Sequence, residues 1–179
     1  MDWITGRLSA ELSAGHRVLA GFDFPVGYSR GFAASLQLAG PAWRAIWDLL
    51  SDMVLDQPDN ANNRFDVAED LNRRISGRAF PFWGHPHGRH YDFLQPKKAV
   101  GYGDLSEHRH ADAIVSGTQP VWKLFGAGSV GSQALTGIAR LHQIRFSPAL
   151  SAVTQVWPFE TGWTPPADGV RIVLAEVYP

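Results

Sequence analysis

The 179-residue chain contains no cysteine. Without cysteine, disulfide bonds, thiolate catalysis and cysteine-ligated zinc are excluded, and a reducing compartment is the natural setting. No apolar run reaches the roughly eighteen residues that a membrane-spanning helix needs. Charges at Asp2, Arg7 and Glu11 interrupt the region where a signal peptide would be apolar. We therefore expect a cytoplasmic protein that makes no membrane contact.

The chain also has almost no net charge. The chain has 16 lysine and arginine residues against 17 acidic residues, a formal net charge of −1 at pH 7. This balance disfavours a nuclease for long duplexes, which usually carries a basic stripe, but it permits a local basic groove. With 45% hydrophobic residues, the length predicts a single domain over residues 1–179 with a substantial core.

The stretch from His16 to Phe32, HRVLAGFDFPVGYSRGF, combines a predicted strand with a candidate site residue. Val18 to Phe22 is apolar, and Asp23 is the first charge after it. Pro25 then ends the strand, because proline has no N–H group to donate. Ligands of open α/β sheets bind at such strand ends, which makes Asp23 a candidate. The alternative is that Asp23 only caps the turn at Pro25.

Periodicity and capping residues predict helices that alternate with strands. Apolar residues at helical spacing indicate a helix after Pro41, and Asn63 is a favourable N-cap for the next helix. Because helices and strands intermingle, the class is α/β. The predicted elements are a helix over Asp2–Ala14, the strand at Val18–Phe22, helices after Pro41 and Asn63, a helix over about Val130–Leu141, and strands over Val153–Phe159 and Val170–Tyr178.

A long irregular segment, Gly77–His110, is rich in glycine, proline, histidine and aromatic residues. Irregular segments of this length are usually functional or disordered, and the aromatic residues argue against disorder. We expect an ordered loop that lies over the site. Arg64 lies at the start of a predicted helix, where a cation is unfavourable, and we therefore predict that it binds an anion.

The sequence GAGSVG at Gly126–Gly131 matches the dinucleotide-binding pattern GxGxxG. That pattern holds phosphate at a helix N-terminus through bare backbone N–H groups. It also requires an acidic residue about twenty positions later, whereas none occurs between Asp112 and Glu160. A tight turn whose glycines permit close packing is the favoured interpretation, and phosphate binding is the alternative.

Five of the seven histidines fall in one window, at His85, His87, His90, His108 and His110. Three of them could assemble a zinc site, but the HxHxxH spacing matches no metal motif with a known mechanism. The favoured interpretation is that these histidines lie beside a site and contact an anionic ligand when protonated.

Asp23 and Glu176 form the remaining candidate site. Each ends an apolar strand and precedes a proline by two or three residues. If the strands are parallel neighbours, both carboxylates lie at the same sheet edge. Carboxylate oxygens suit Mg²⁺ or Mn²⁺, which can activate water for phosphodiester cleavage. We therefore predict that Asp23 and Glu176 are catalytic residues that bind the metal.

Several stretches of the sequence also resemble those of a known protein family. GFDFPVGYSRGF resembles the D-x-P-x-G strand end of the DUF429 family, predicted nucleases with a ribonuclease H-like fold, in an uncharacterised bacterial branch. NNRFDVAEDLN, GSVGSQALTGI and VLAEVYP resemble that family's arginine-containing helix, its Gly-Ser-x-Gln helix start and its closing E-x-x-P strand. The resemblance implies an α/β, ribonuclease H-like domain with a central mixed sheet flanked by helices. It places Asp23 and Glu176 at metal-binding positions.

Two departures from the family pattern accompany the resemblance. Ribonuclease H-like folds begin with a β-hairpin unit whose first strand carries an aspartate, whereas this chain begins at the helix before the Asp23 strand. The chain also ends at Pro179, where the family continues into a helix. We therefore expect a domain without the first β-hairpin unit, as a terminally shortened piece of a longer protein.

The favoured function is a divalent-metal-dependent phosphodiesterase or nuclease that uses Mg²⁺ or Mn²⁺. Its substrate contains phosphate, with nucleic acid as one candidate. One alternative is an enzyme or binder for a small molecule, a nucleotide or a pterin, that uses the GAGSVG turn for phosphate. The other is a non-catalytic interaction domain. The predicted substrate-binding residues are Arg64, Gln133, His85 and His87.

Overall fold

A computed structural model describes residues 2–99 and 101–177 of the protein. Within these ranges the chain forms two compact units. The first contains the chain up to Val26 and from Arg140 onward, and we term it the sheet unit because it holds the strands. The second, Gly27–Ala139, is the helical unit. The boundary between the units falls inside a long helix, Gly131–Arg145.

The described part of the sheet unit contains three short strands: β1 (Val18–Phe22), β2 (Thr154–Trp157) and β3 (Ile172–Glu176). β3 lies between β1 and β2, and both pairings are parallel. The α/β class is therefore confirmed, but the expectation of a mixed sheet is wrong for the described residues. The physical reason is that each connection is long enough to return the chain to the same end of the sheet. The finer assignment to a ribonuclease H-like fold stays a prediction.

Helix α1 (Asp2–Ser13) precedes β1 and ends one residue before its predicted limit. Leu8 on this helix is buried. Gly15 has a φ angle of 84°, and its N–H donates to the Leu12 carbonyl. Because glycine adopts this left-handed conformation without strain, it ends the helix and lets the chain enter β1.

The helical unit contains short and medium helices joined by long irregular segments. The described helices are α2 (Phe32–Ser35), α3 (Ala42–Met53), α4 (Arg64–Ser76), α5 (His110–Ile114) and α6 (Gly131–Arg145), which continues into the sheet unit. The predicted apolar stripe of α3 is confirmed, since Ile46, Trp47 and Leu50 are buried. Of the helices in residues 2–99 and 101–177, none is long and apolar enough to cross a membrane.

Aromatic side chains from distant parts of the chain form the core of the helical unit. Phe82 and Trp122 are fully buried, and Tyr28 and Phe32 pack against both. The ring centroids of these four residues lie 4.6 to 5.9 Å apart, and most pairs are tilted or edge-to-face, as aromatic quadrupoles favour.

The irregular segment Gly77–His110 contributes directly to this core. Phe82 and Leu94 come from it, and neither has exposed surface. Asn72 of α4 is also fully buried and hydrogen-bonds the backbone of Phe82 and Phe93. The described part of the segment is therefore ordered, as predicted, and its apolar side chains fill the helical unit. Its position over the site stays a prediction.

Candidate functional site

Asp23 and Glu176 lie at the same edge of the sheet. β1 pairs with β3 in parallel register, from Val18 opposite Ile172 to Phe22 opposite Glu176. Asp23 follows Phe22 directly, so the two acidic residues stand at the carboxyl ends of adjacent strands. The predicted adjacency of these strands is therefore confirmed.

Glu176 fixes the turn that follows β1. Its Oε2 atom accepts a hydrogen bond from the backbone N–H of Val26 at 3.0 Å. The Asp23 side chain is exposed, and it accepts no hydrogen bond from the described residues. The contacts thus give no support to the alternative in which Asp23 caps the turn, because Glu176 provides that cap. The Asp23 carboxylate is open to a ligand from solvent.

The acidic pair fits a magnesium-type ion better than a structural metal site. Mg²⁺ commonly takes one or two carboxylates and completes its octahedral shell with water and substrate phosphate oxygens. In the described residues, no group of three or more histidine, cysteine, aspartate or glutamate side chains could hold a metal ion. An ion held by two carboxylates would take most of its ligands from water and phosphate.

Arg64 is the first residue of α4 and reaches the start of α6. Its Nε donates to Ser132 Oγ at 2.9 Å, and its Nη1 donates to Asn62 Oδ1 at 2.8 Å. Ser132 Oγ in turn donates to the Leu124 carbonyl at 2.6 Å. Gln133 follows Ser132 and is exposed. The structure thus brings two predicted substrate-binding residues, Arg64 and Gln133, to the same helix start.

The GAGSVG turn before α6 is closely packed. Gly126 and Gly128 have φ angles of 95° and 69°, which favour glycine. A Cβ atom at Gly131 would lie 2.5 Å from the Val121 carbonyl oxygen and 2.6 Å from that of Lys123. These distances support the interpretation that the glycines permit close packing.

Two guanidinium groups lie near the same aromatic ring. The Cζ atom of Arg64 is 4.4 Å from the Phe65 ring centroid, and that of Arg89 is 5.8 Å from it. Arg89 Nη1 donates to Tyr91 Oη at 3.2 Å. Burial, and then the positive charge of Arg89, lower the pKa of Arg64. We term these four residues the basic cluster; an anion between its guanidinium groups would relieve their repulsion.

The predicted histidines differ in burial. His85 is buried, its ring centroid lies 5.2 Å from that of Tyr91, and its Nδ1 lies 2.9 Å from the Pro86 carbonyl oxygen. His87 is exposed. Both histidines line a pocket of about 330 Å³ together with Arg89 and Tyr91. His85 and His87 therefore lie beside the basic cluster.

The sequence motifs do not predict Arg89, Tyr91 or Ser132 as site residues. Arg89 and Tyr91 carry a usable signal, because they interrupt or follow the histidines in HPHGRHY. Ser132 carries none, since no pattern relates it to an arginine 68 residues away. The acidic pair belongs to the sheet unit, and the four predicted substrate-binding residues belong to the helical unit.

No protein-family model matches the chain, and neither a curated protein nor a solved structure matches it. The resemblance to the DUF429 family therefore stays a prediction. The function has to be inferred from the geometry of the acidic pair and of the basic cluster.

Proposed function

We propose that the protein is a divalent-metal-dependent phosphodiester hydrolase of the nuclease type. The observation that carries this proposal is the parallel pairing of β1 with β3, which puts Asp23 and Glu176 at the ends of adjacent strands. Both candidate ligands are carboxylates, so Mg²⁺ or Mn²⁺ is the expected ion. The formal net charge of −1 favours short or single-stranded substrates over long duplexes.

The two acidic residues have different parts in this proposal. When bound, the metal ion supplies an activated water and charge stabilisation on the phosphate. Glu176 is held in place by its hydrogen bond from Val26, so its carboxylate is preorganised as a ligand. Asp23 is exposed and can turn toward an incoming ion. Asp23 therefore provides the adjustable ligand, and Glu176 provides the fixed one.

Manganese binding and hydrolysis test this proposal together. The protein is titrated with Mn²⁺ by calorimetry and assayed for hydrolysis of bis(p-nitrophenyl) phosphate and a short single-stranded oligonucleotide. Asp23→Asn and Glu176→Gln should each weaken Mn²⁺ binding by about tenfold or more, since each removes a charged ligand. The amide oxygen of Glu176→Gln can still accept the Val26 N–H, so folding should be retained.

A matched control separates this effect from general charge removal. Asp168 is an exposed acidic residue of the same unit, and Asp168→Asn should leave Mn²⁺ affinity and hydrolysis unchanged. Asp23→Asn should keep stability, because the Asp23 side chain is exposed and accepts no hydrogen bond from the described residues. Wild-type protein that does not bind Mn²⁺, or an Asp23→Asn variant that binds it equally well, would contradict the proposal.

A second candidate function is binding of a phosphorylated small molecule, such as a nucleotide or a pterin phosphate. The observation that favours it is the basic cluster, in which two guanidinium groups lie near the Phe65 ring. Arginine binds phosphate through paired, charge-assisted hydrogen bonds, and the neighbouring aromatic rings could stack on a base or pterin. Arg64 also contacts Ser132, so the start of α6 lies beside the basic cluster.

Metal-free titration distinguishes the second candidate from the first. Pyrophosphate and AMP are titrated in EDTA into the wild type and into Arg64→Gln, Arg89→Gln and Arg78→Gln. The first two variants should weaken binding by about tenfold or more, because each removes a charge-assisted contact. Arg78 is exposed in the same unit and should have no effect. Equal affinities across the three variants would exclude the basic cluster as a phosphate site.

A further inference from the structure

One face of the sheet is apolar and only partly covered by the described residues. Leu19 lies opposite Val173, and Gly21 lies opposite Ala175, so alternation puts these four side-chain positions on the same face. Val177 joins them, since its side chain lies 2.8 Å from the position of a Cβ at Gly21. We term these five residues the outer face. Leu19 is 71% exposed and Val177 is 42% exposed.

An open face of this kind is unusual for a parallel sheet. Parallel strands are found almost only in sheets whose two faces are both covered, normally by helices. Here the opposite face of β3 carries the buried Ile172 and Leu174. The outer face lines a groove of about 720 Å³ whose wall includes Trp163, which is 85% exposed. A contiguous exposed patch with an aromatic wall is characteristic of an interaction site.

The length of the outer face suits a short helix. Gly21 has no side chain, so Val177 packs over it beside the buried Ala175. Trp157 and Trp163 line the side of the groove, and their ring centroids are 5.3 Å apart. A strand of five residues is about 16 Å long, and a helix of about eleven residues covers that length.

The charges at one end of the groove give such a helix a direction. Arg17 and Arg171 immediately precede β1 and β3, and both line the groove. Arg171 Nη2 donates to the carbonyls of Gly15 and His16, which holds it at this end. The dipole of a helix is complementary to this end of the groove when its negative C-terminus meets the arginines.

We propose that the outer face binds an amphipathic α-helix of a protein partner, about three turns long and antiparallel to the strands. Its apolar side covers Leu19, Val173 and Val177, and its last turn lies against Arg17 and Arg171. This inference is independent of the proposed hydrolase function, since it uses the face of the sheet and the opposite end of the strands. Charge complementarity at the arginine end selects a helix over a second sheet, which has only a small net dipole.

Two synthetic peptides test the docking site. The probe is an amphipathic helix of about fourteen residues, with leucine and alanine on one side and glutamates in its last turn. The matched peptide has lysines in place of those glutamates. Each is titrated by calorimetry into the full chain in EDTA, and helix formation is followed by circular dichroism. The glutamate peptide should become helical and bind about tenfold more tightly than the lysine peptide.

Protein variants assign the binding to the outer face. Leu19→Glu should abolish binding of the glutamate peptide, whereas Leu55→Glu, at a leucine 62% exposed in the helical unit, should leave it unchanged. Arg17→Glu should reverse the preference between the peptides, which keeps the test decisive if Leu19→Glu folds poorly. Absence of binding, equal binding of both peptides, or loss of binding in Leu55→Glu would overturn the proposal. A wild-type dimer in sedimentation that Leu19→Glu dissociates would also overturn it, since a second copy would then occupy the face.

Discussion

Asn72 joins α4 to the irregular segment of the helical unit, and its replacement should be costly. The side chain has no exposed surface. Its Nδ2 donates to the carbonyls of Phe82 and Phe93 at 2.9 and 2.7 Å, and its Oδ1 accepts the Phe82 N–H at 2.8 Å. One amide thus satisfies three backbone groups that the segment cannot pair within a regular element.

The expected magnitude follows from these three groups. Leaving one buried polar group without a partner costs about 1–3 kcal/mol. Because the structure relaxes partly around each group, we expect Asn72→Ala to lower the free energy of unfolding by about 3–5 kcal/mol. That is a large share of the roughly 5–15 kcal/mol typical of a domain. Asn72→Asp keeps the acceptor for the Phe82 N–H but loses both donors, so it should also destabilise strongly.

Urea unfolding and amide hydrogen exchange measure this effect. Unfolding is followed by tryptophan fluorescence, and exchange at Phe82 reports locally on the helical unit. Gln57→Ala is the control, because this side chain is exposed in the same unit and its removal should change stability by less than about 0.5 kcal/mol. A loss below about 1 kcal/mol in Asn72→Ala, with the Phe82 amide still protected, would refute the reasoning.

Four further substitutions have expected outcomes. Gly131→Ala should destabilise by about 1–3 kcal/mol, because its Cβ would meet two backbone carbonyl oxygens at 2.5 and 2.6 Å. Gly6→Ala should stabilise by up to about 1 kcal/mol, because Gly6 lies in a helix with open space around it. The urea midpoints of both glycine variants measure these changes, and midpoints that shift in the same direction would contradict the packing argument. Tyr28→Phe should stabilise by about 1 kcal/mol in the same assay, because its buried hydroxyl has no hydrogen-bond partner in the described structure, and a loss of stability would show that the hydroxyl has one. A hydrogen bond with His16 lowers the pKa of Glu11 below its ordinary 4.5. Ionised Glu11 therefore stabilises the fold above that value, and this stabilisation is lost as the pH falls through the lowered pKa. The melting temperatures of wild type and Glu11→Gln should converge as the pH falls, and a difference that stays constant would contradict this assignment.

Local signals predicted most of the helices. The apolar stripe of α3, with Ile46, Trp47 and Leu50, follows from 3.6-residue periodicity, and each of these residues is buried. Asn63 was also predicted correctly as the residue before α4, but its side chain does not cap that helix. Its Oδ1 accepts the Leu55 N–H, and its Nδ2 donates to the Met53 carbonyl. The Asn63 side chain therefore bonds to the end of the preceding segment instead of to the first turn of α4. Capping propensity alone predicted the right helix boundary but the wrong hydrogen bond.

The irregular segment shows the opposite case. Its glycine and proline content correctly predicted that its described residues form no long helix or strand. Their burial could not be read from composition. Phe82 and Leu94 lie in the core because Asn72, on another element, satisfies the backbone around them. Without such a partner, buried irregular backbone would be unstable, because its polar groups would lack hydrogen bonds. Composition alone therefore favours a loop at the surface.

The sequence by itself determined the apolar strand before Asp23, the closing strand before Glu176 and the glycine turn before α6. Each of these depends on neighbouring residues, through apolar runs, proline and glycine. Only the tertiary structure decided that β1 and β3 are parallel neighbours and that Arg64 and Arg89 lie against the same ring. These pairings join distant parts of the chain, and local propensity carries no information about them because their energies come from the packing of the whole unit.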